Sequence, residues 1–278
     1  MEWPAPAVAA ALSRLRLAVD PRRRRQGAGS RLGSGPGASL EFHDHRAYVP
    51  GDDPRQLDWK VYARTGSLIL RRHRVEVTPR IELLCDCSAS MGLPPAKAAL
   101  AASLAALLAG LAEGDGVRPA VWLLGERPRV AGRDWRAALA VTPCAGAAGL
   151  DGVPPGALLP GAERILISDG LCPAGGPALV RRLGAGAGSL ALVQVLARAE
   201  ADPPAQGAVR LADVEGGAAD HVLDAAAVAA YRERFARHQA GWQQALAGRG
   251  SGLITCIAED GLDAAIRRLL AAGLVQVR

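Results

Sequence analysis

Beyond Arg80 the chain alternates short apolar runs with Ala/Leu-rich segments of helical length, and this alternation restricts the fold more than any other feature. Strands are expected over 81–85, 117–124, 164–168, 189–196, 209–211 and 253–257. Helices are expected over 95–112, 176–183, 225–247 and 262–271, the first opened by proline, which suits a first helical turn because its missing N–H would have no partner there. Strands that are apolar throughout, rather than at every second residue, are buried on both faces. With helices between them they imply an α/β fold, a doubly wound and mainly parallel sheet covered on both sides.

The text before Arg80 differs. Residues 1–39 read as a short helix over 5–18 followed by a basic, Gly/Ser-rich linker. Residues 40–80 hold aromatic and charged residues in dense alternation around Pro50-Gly51-Asp52-Asp53-Pro54, a pattern of short strands joined by tight turns. The organisation expected is therefore 1–39, a β-rich subdomain over 40–80, and the α/β domain over 81–278.

Charge follows the same division. Residues 1–80 carry 15 Lys/Arg against 8 Asp/Glu, so the net charge of +6 lies entirely at the front. The run Arg22-Arg23-Arg24-Arg25 could attract a polyanion, but no aromatic residues interleave it to stack on bases, so a solvated segment is expected and no nucleic-acid partner. The longest apolar run, 98–112, is short and Ala-rich for a bilayer span, and the first residues lack the order of a signal peptide. Cys85, Cys87, Cys144, Cys172 and Cys256 are odd in number and show no zinc spacing, which points to a reducing cytoplasm.

Chemistry concentrates where the first apolar strand ends. Ligands of open parallel sheets bind outside the carboxyl ends of the strands, where the winding direction reverses. Asp86-Cys87-Ser88-Ala89-Ser90 occupies such a position, and Asp169 follows the apolar run 164–168 in the same way. One carboxylate, two hydroxyls and a second carboxylate are the hard oxygen donors that Mg²⁺ takes, so Asp86, Ser88, Ser90 and Asp169 form a candidate metal site. The structural alternative is that Asp86 and its serines cap the following helix. Cys85 and Cys87 are read as pointing to opposite faces and packing.

At these residues the chain resembles the bacterial family known as domain of unknown function 58, whose members carry a von Willebrand factor A-like, Rossmann-type domain. The most specific part of the resemblance is upstream: Glu41-Phe42, Asp44, Arg46, Tyr48, Gly51-Asp52-Asp53, Arg55, Asp58-Trp59 and Arg64. Downstream, Leu211 to Gly217 resembles the family's acidic segment, with Tyr231 and His238 in the helix after it. The upstream carboxylates and arginines can pair bidentately, either to lock a β-subdomain against the sheet or to serve a docking or catalytic role. The resemblance implies a metal-ion-dependent adhesion site (MIDAS) binding Mg²⁺. Such sites also use a threonine from an intervening loop, yet residues 144–151 contain none, leaving Thr142 or Asp151 to substitute, or a loop that docks without metal.

The resemblance further implies a non-catalytic, protein-binding adaptor acting with a MoxR-type AAA+ ATPase in chaperone-like maturation or assembly of other proteins. The chain has no Gly-x-x-x-x-Gly-Lys-Ser/Thr loop, so nucleotide hydrolysis would be the partner's. The alternatives are a Mg²⁺-dependent phosphoester hydrolase built on Asp86 and Asp169, and polyanion binding through the basic N-terminal segment.

Overall fold

The structure, a computed structural model, describes residues 6–18, 40–50, 52, 54, 57–75, 80–147, 149–154, 156–172, 175–204, 207–212 and 218–278. Gly51, Asp53 and Arg55 of the upstream signature and the linker 19–39 lie outside the described residues, and for Glu41, Asp44 and Arg46 only the backbone is described. The chain divides into two compact units, Asp20–Thr78 and a larger one made of Met1–Val19 with Pro79–Arg278.

The larger unit begins with α1 (Pro6–Arg14) and β1 (Leu15–Leu17). The smaller unit holds β2 (Leu40–Ala47), α2 (Trp59–Thr65) and β3 (Ile69–Val75). The larger then resumes with β4 (Ile81–Asp86), α3 (Pro95–Gly114), β5 (Ala120–Leu124), β6 (Arg129–Val130) and α4 (Trp135–Val141). It continues through β7 (Glu163–Ser168), α5 (Gly175–Leu183), β8 (Ser189–Leu196), α6 (Arg198–Ala201), β9 (Gly207–Ala212) and β10 (Ala218–Leu223). It ends with α7 (Ala225–Leu246), β11 (Gly252–Ile257), α8 (Gly261–Ala271) and β12 (Val275–Val277).

In the smaller unit β2 and β3 pair antiparallel, from Leu40 opposite Val75 to Ala47 opposite Ile69, with an irregularity between Phe42 and Asp44. Short strands alone were expected here, but the connection contains α2. Its signals are local: Asp58 accepts from the backbone N–H of Lys60 at 3.0 Å and of Val61 at 3.1 Å, and Gly66, with φ of 68°, closes the helix in the left-handed conformation. Trp59 and Tyr62 stand exposed on the helix in an edge-to-face pair.

The larger unit is built on a six-stranded sheet ordered β11-β8-β7-β4-β5-β6, parallel except for the edge strand β6. This is the doubly wound architecture expected. Alternation along each strand distributes side chains between two cores. Leu83 and Cys85 of β4, Ile165 and Ile167 of β7, and Val193 and Val195 of β8 join α1, α3 and α8 in one. Leu84, Leu166 and Leu192 face α5 and α7 in the other, with Leu179, Leu183 and Trp242. Cys87 lies in the same core as Cys85, because residues two apart on an extended segment share a face; the expectation that they diverge is corrected.

Two strand pairs of this unit fall elsewhere. The segment expected as 209–211 is β9, which pairs antiparallel with β10 outside the main sheet, and β1 pairs antiparallel with β12. Helix α3 is long and apolar enough to cross a bilayer by length and composition, yet over half of it is buried inside the molecule. Gly110 within it lets α1 approach closely, since a Cβ there would stand 2.8 Å from a methyl carbon of Leu12.

At the amino-terminal side of the sheet, Glu82 of β4 and Arg164 of β7 are cross-strand neighbours and almost wholly buried. Arg164 Nε donates to Glu82 at 2.9 Å, its other nitrogens donate to the carbonyls of Leu159, Leu183 and Ala185, and Glu82 also accepts from the N–H of Leu159. Every charge is answered, so the pair is tolerated in the core, whereas leaving one member alone costs about 3–5 kcal/mol. Arg164→Met is therefore expected to lower the urea-derived unfolding free energy by about that amount, with most of it returned when Glu82→Leu is added.

Burial pushes the Cys85 thiol up, with Cys87 and Asp86 adding to the shift, and carries Cys87 to about 12 and Cys256 to about 11. Since the thiolate is the reactive form, these three thiols are expected to resist iodoacetamide at neutral pH in the native protein and to label fully in urea. Native labelling as fast as a free thiol's would refute this packing.

Candidate functional site at the carboxyl ends of the central strands

Strand β4 has β5 on one side and β7 on the other, and the chain runs first to β5 and then returns across β4 to β7. The winding direction thus reverses between β4 and β7, and their carboxyl ends open the crevice that such a reversal creates. Asp86 ends β4 and Asp169 follows β7. Both are nearly buried, 7% and 3% exposed, so each carboxylate needs partners from the protein.

Asp86 finds them locally and across the sheet. One oxygen accepts from the N–H of Ser88 at 2.9 Å, and the other accepts from the Ser168 hydroxyl at 2.5 Å. Burial nevertheless raises its pKa; the bonds from Ser168 and Ser88 offset this in part and Asp169 adds to it. The loop then turns so that the Ser88 and Ser90 hydroxyls lie 3.2 Å apart, and Ser90 donates to Asp169 Oδ2 at 2.9 Å. All four residues expected at the site, Asp86, Ser88, Ser90 and Asp169, therefore meet in one hydrogen-bonded chain.

That chain continues through a residue that sequence reading did not single out. Lys97, in the first turn of α3, is fully buried, and its ammonium donates to Asp169 Oδ2 at 2.9 Å and to Glu200 Oε1 at 2.7 Å. The other oxygen of Asp169 accepts from the N–H of Leu171, and the other oxygen of Glu200 from that of Ala197. Behind Asp169, Gln194 donates to its carbonyl at 2.8 Å and accepts from Gln239 and Thr255, while Trp242 donates to the Gly170 carbonyl and His238 Nε2 lies 2.9 Å from it. Tyr231 donates to the carbonyl of Glu200. Only Tyr231 and His238 of this second ring carried a signal in the sequence, through the family resemblance.

The two residues proposed to replace the missing threonine are engaged elsewhere. Thr142 accepts from Arg129 at 2.8 Å and donates to Ala138, and Asp151 pairs with Arg182 at 3.2 Å. The intervening loop is instead tied down by its backbone, with Ala145 N–H on Cys87 and Ala89 N–H on Gly146. It presents Gly149 to Asp86: a Cβ at that position would sit 3.1 Å from both carboxylate oxygens, and its φ of +40° disfavours a side chain as well.

These donors do not fit a divalent cation. Both oxygens of Asp86 already accept hydrogen bonds, and the Asp169 oxygen facing Ser90 carries an ammonium.

Residues 44–142 match the family model described as Protein of unknown function DUF58. Uncharacterized proteins of Mycobacterium tuberculosis strain H37Rv and of Mycobacterium bovis are each 37% identical to the chain over 116 residues, 41% of this chain and 37% of theirs. The match thus spans little more than a third of those relatives. Among solved structures, an aerotolerance-related membrane protein from Bacteroides fragilis is 14% identical over 68% of this chain and 99% of its own, with a TM-score of 0.32. A von Willebrand factor type A structure from Catenulispora acidiphila is 17% identical over 62% of this chain and 45% of its own, with a TM-score of 0.28. At such scores the fold rests on strand order and direction rather than on either structure. Residues 44–142, which run from the β2 signature through the Asp86 motif to Thr142, are thus what this chain shares with the DUF58 family model, and the central sheet of the larger unit is doubly wound and mainly parallel, as expected.

Proposed function

We propose that the chain is a non-catalytic docking module of the von Willebrand factor A type, which works with a MoxR-type AAA+ ATPase in the chaperone-like maturation or assembly of other proteins. The observation that carries the docking role is the contrast between the floor and the rim of the strand-end crevice. The floor is a closed network of hydrogen bonds, with the Asp86, Asp169 and Glu200 carboxylates each engaged by protein donors. The two loops that supply Ser90 and Asp169 each also carry an exposed leucine, Leu93 at 54% and Leu171 at 44%. A hydrogen-bonded polar cluster whose own loops carry exposed apolar side chains suits recognition better than bond-making, because anchors that bury on association supply affinity while the fixed polar groups set register.

The class of partner comes from the family resemblance, and the division of labour follows from the sequence: the chain contains no phosphate-binding loop of the P-loop type, so ATP turnover falls to the ATPase. A reducing cytoplasm suits the five free cysteines.

Co-expression of the chain with a MoxR-type ATPase is expected to recover the two together. Burying a leucine contributes about 1.5–3 kcal/mol, so Leu93→Asp with Leu171→Asp is expected to weaken the complex at least about tenfold while leaving the thermal unfolding midpoint unchanged. Capture of the ATPase indifferent to both substitutions, or no capture at all, would sink the reading.

A further inference from the structure

We propose that the Lys97 ammonium is the resident cation of the strand-end crevice, carried by the chain itself at Asp169 and making the site independent of divalent metal. This goes beyond the docking role and does not rest on it.

Lys97 lies two residues after Pro95, at the opening of α3. Side chains on a helix lean toward its amino terminus, so a lysine in the first turn is aimed back at the loop that precedes the helix. Here that loop is the Asp86-to-Ser90 motif. A lysine is almost never fully buried unless its charge is answered, and this one, at 0% exposed, is answered by two carboxylates from separate elements: Asp169 after β7 and Glu200 in α6. Ser90 donates to the same Asp169 oxygen, so the motif hydroxyl and the ammonium share one acceptor.

A divalent ion cannot be added to this arrangement without dismantling it. Mg²⁺ binds carboxylate oxygen at about 2.0–2.1 Å, and on Asp169 Oδ2 it would stand within about 5 Å of the Lys97 nitrogen, where a doubly charged ion and an ammonium repel strongly in a buried setting. Moving the ammonium aside would leave a buried lysine short of a partner. The opposite wall adds a second obstacle: Gly149 lies against Asp86, and a threonine side chain placed there would crowd both carboxylate oxygens. The ammonium therefore does structural work that a metal does elsewhere, joining the start of α3, the end of β7 and the start of α6 by one positive charge.

Two measurements on the full chain test this. Thermal unfolding of the wild type is expected to give the same midpoint in EDTA and in excess MgCl₂, and calorimetric titration with MgCl₂ no binding heat. A Mg²⁺ heat that Asp169→Asn abolishes, or a midpoint raised by roughly 5 °C at about one hundred times the dissociation constant, would overturn the proposal. Separately, Lys97→Met is expected to lower the midpoint, and adding Asp169→Asn and Glu200→Gln to recover most of the loss, because the carboxylates then no longer need a cation. An equal loss with and without the two neutralising changes would also overturn it. Should Lys97→Met fail to fold, the wild-type titration still decides.

Discussion

The pairing of β4 with β7 across the reversal in winding direction organises the larger unit. Both strands are buried on both faces, so neither can shift register without moving apolar side chains out of the two cores that sandwich them. Polar contacts clamp the pair at each end: Glu82 with Arg164 at the amino-terminal side, and Asp86 with Ser168 at the carboxyl side. The clamps are costly groups to bury, and they are accepted because each charged atom meets a partner. A crevice whose walls are clamped in this way holds its side chains at constant separation.

Charge balance explains the chemistry of that crevice. Asp86 and Asp169 come from neighbouring strands and would repel if both were left open. The structure resolves the conflict in two different ways. Asp86 is surrounded by neutral donors in a buried position that raises its pKa, whereas Asp169 is given a full positive charge by Lys97. The same lysine serves Glu200, whose other oxygen accepts from the backbone of its own helix start. The arrangement keeps the Asp86, Ser88 and Ser90 loop hydrogen-bonded to Asp169 while answering that second carboxylate with an ammonium.

Much of this was legible in sequence. Strand ends can be read wherever an apolar run stops at Asp, as at Asp86 and Asp169, with Ser88 and Ser90 just after the first. Helix α2 is hidden by the aromatic and charged alternation of 40–80, although Asp58 and Gly66 are ordinary helix-end signals. Segment 209–211 was recognised as a strand but not as part of a separate antiparallel pair, since hydrophobic pattern identifies a strand and not its partner.

Strands apolar on both faces dictate the layered α/β class, and the points at which they stop put oxygen-rich loops at their carboxyl ends. How those oxygens are used depends on contacts that form when the chain folds. Lys97 lies 72 residues from Asp169 and 103 from Glu200, and in the sequence it is one lysine opening an Ala-rich helix, where a solvent-exposed position is the ordinary expectation. Burial of its ammonium depends on three elements meeting at one point. The physical reason is that local pattern sets which segments form and which faces they bury, whereas the partner of a charge is set by distances that exist only after the sheet has closed.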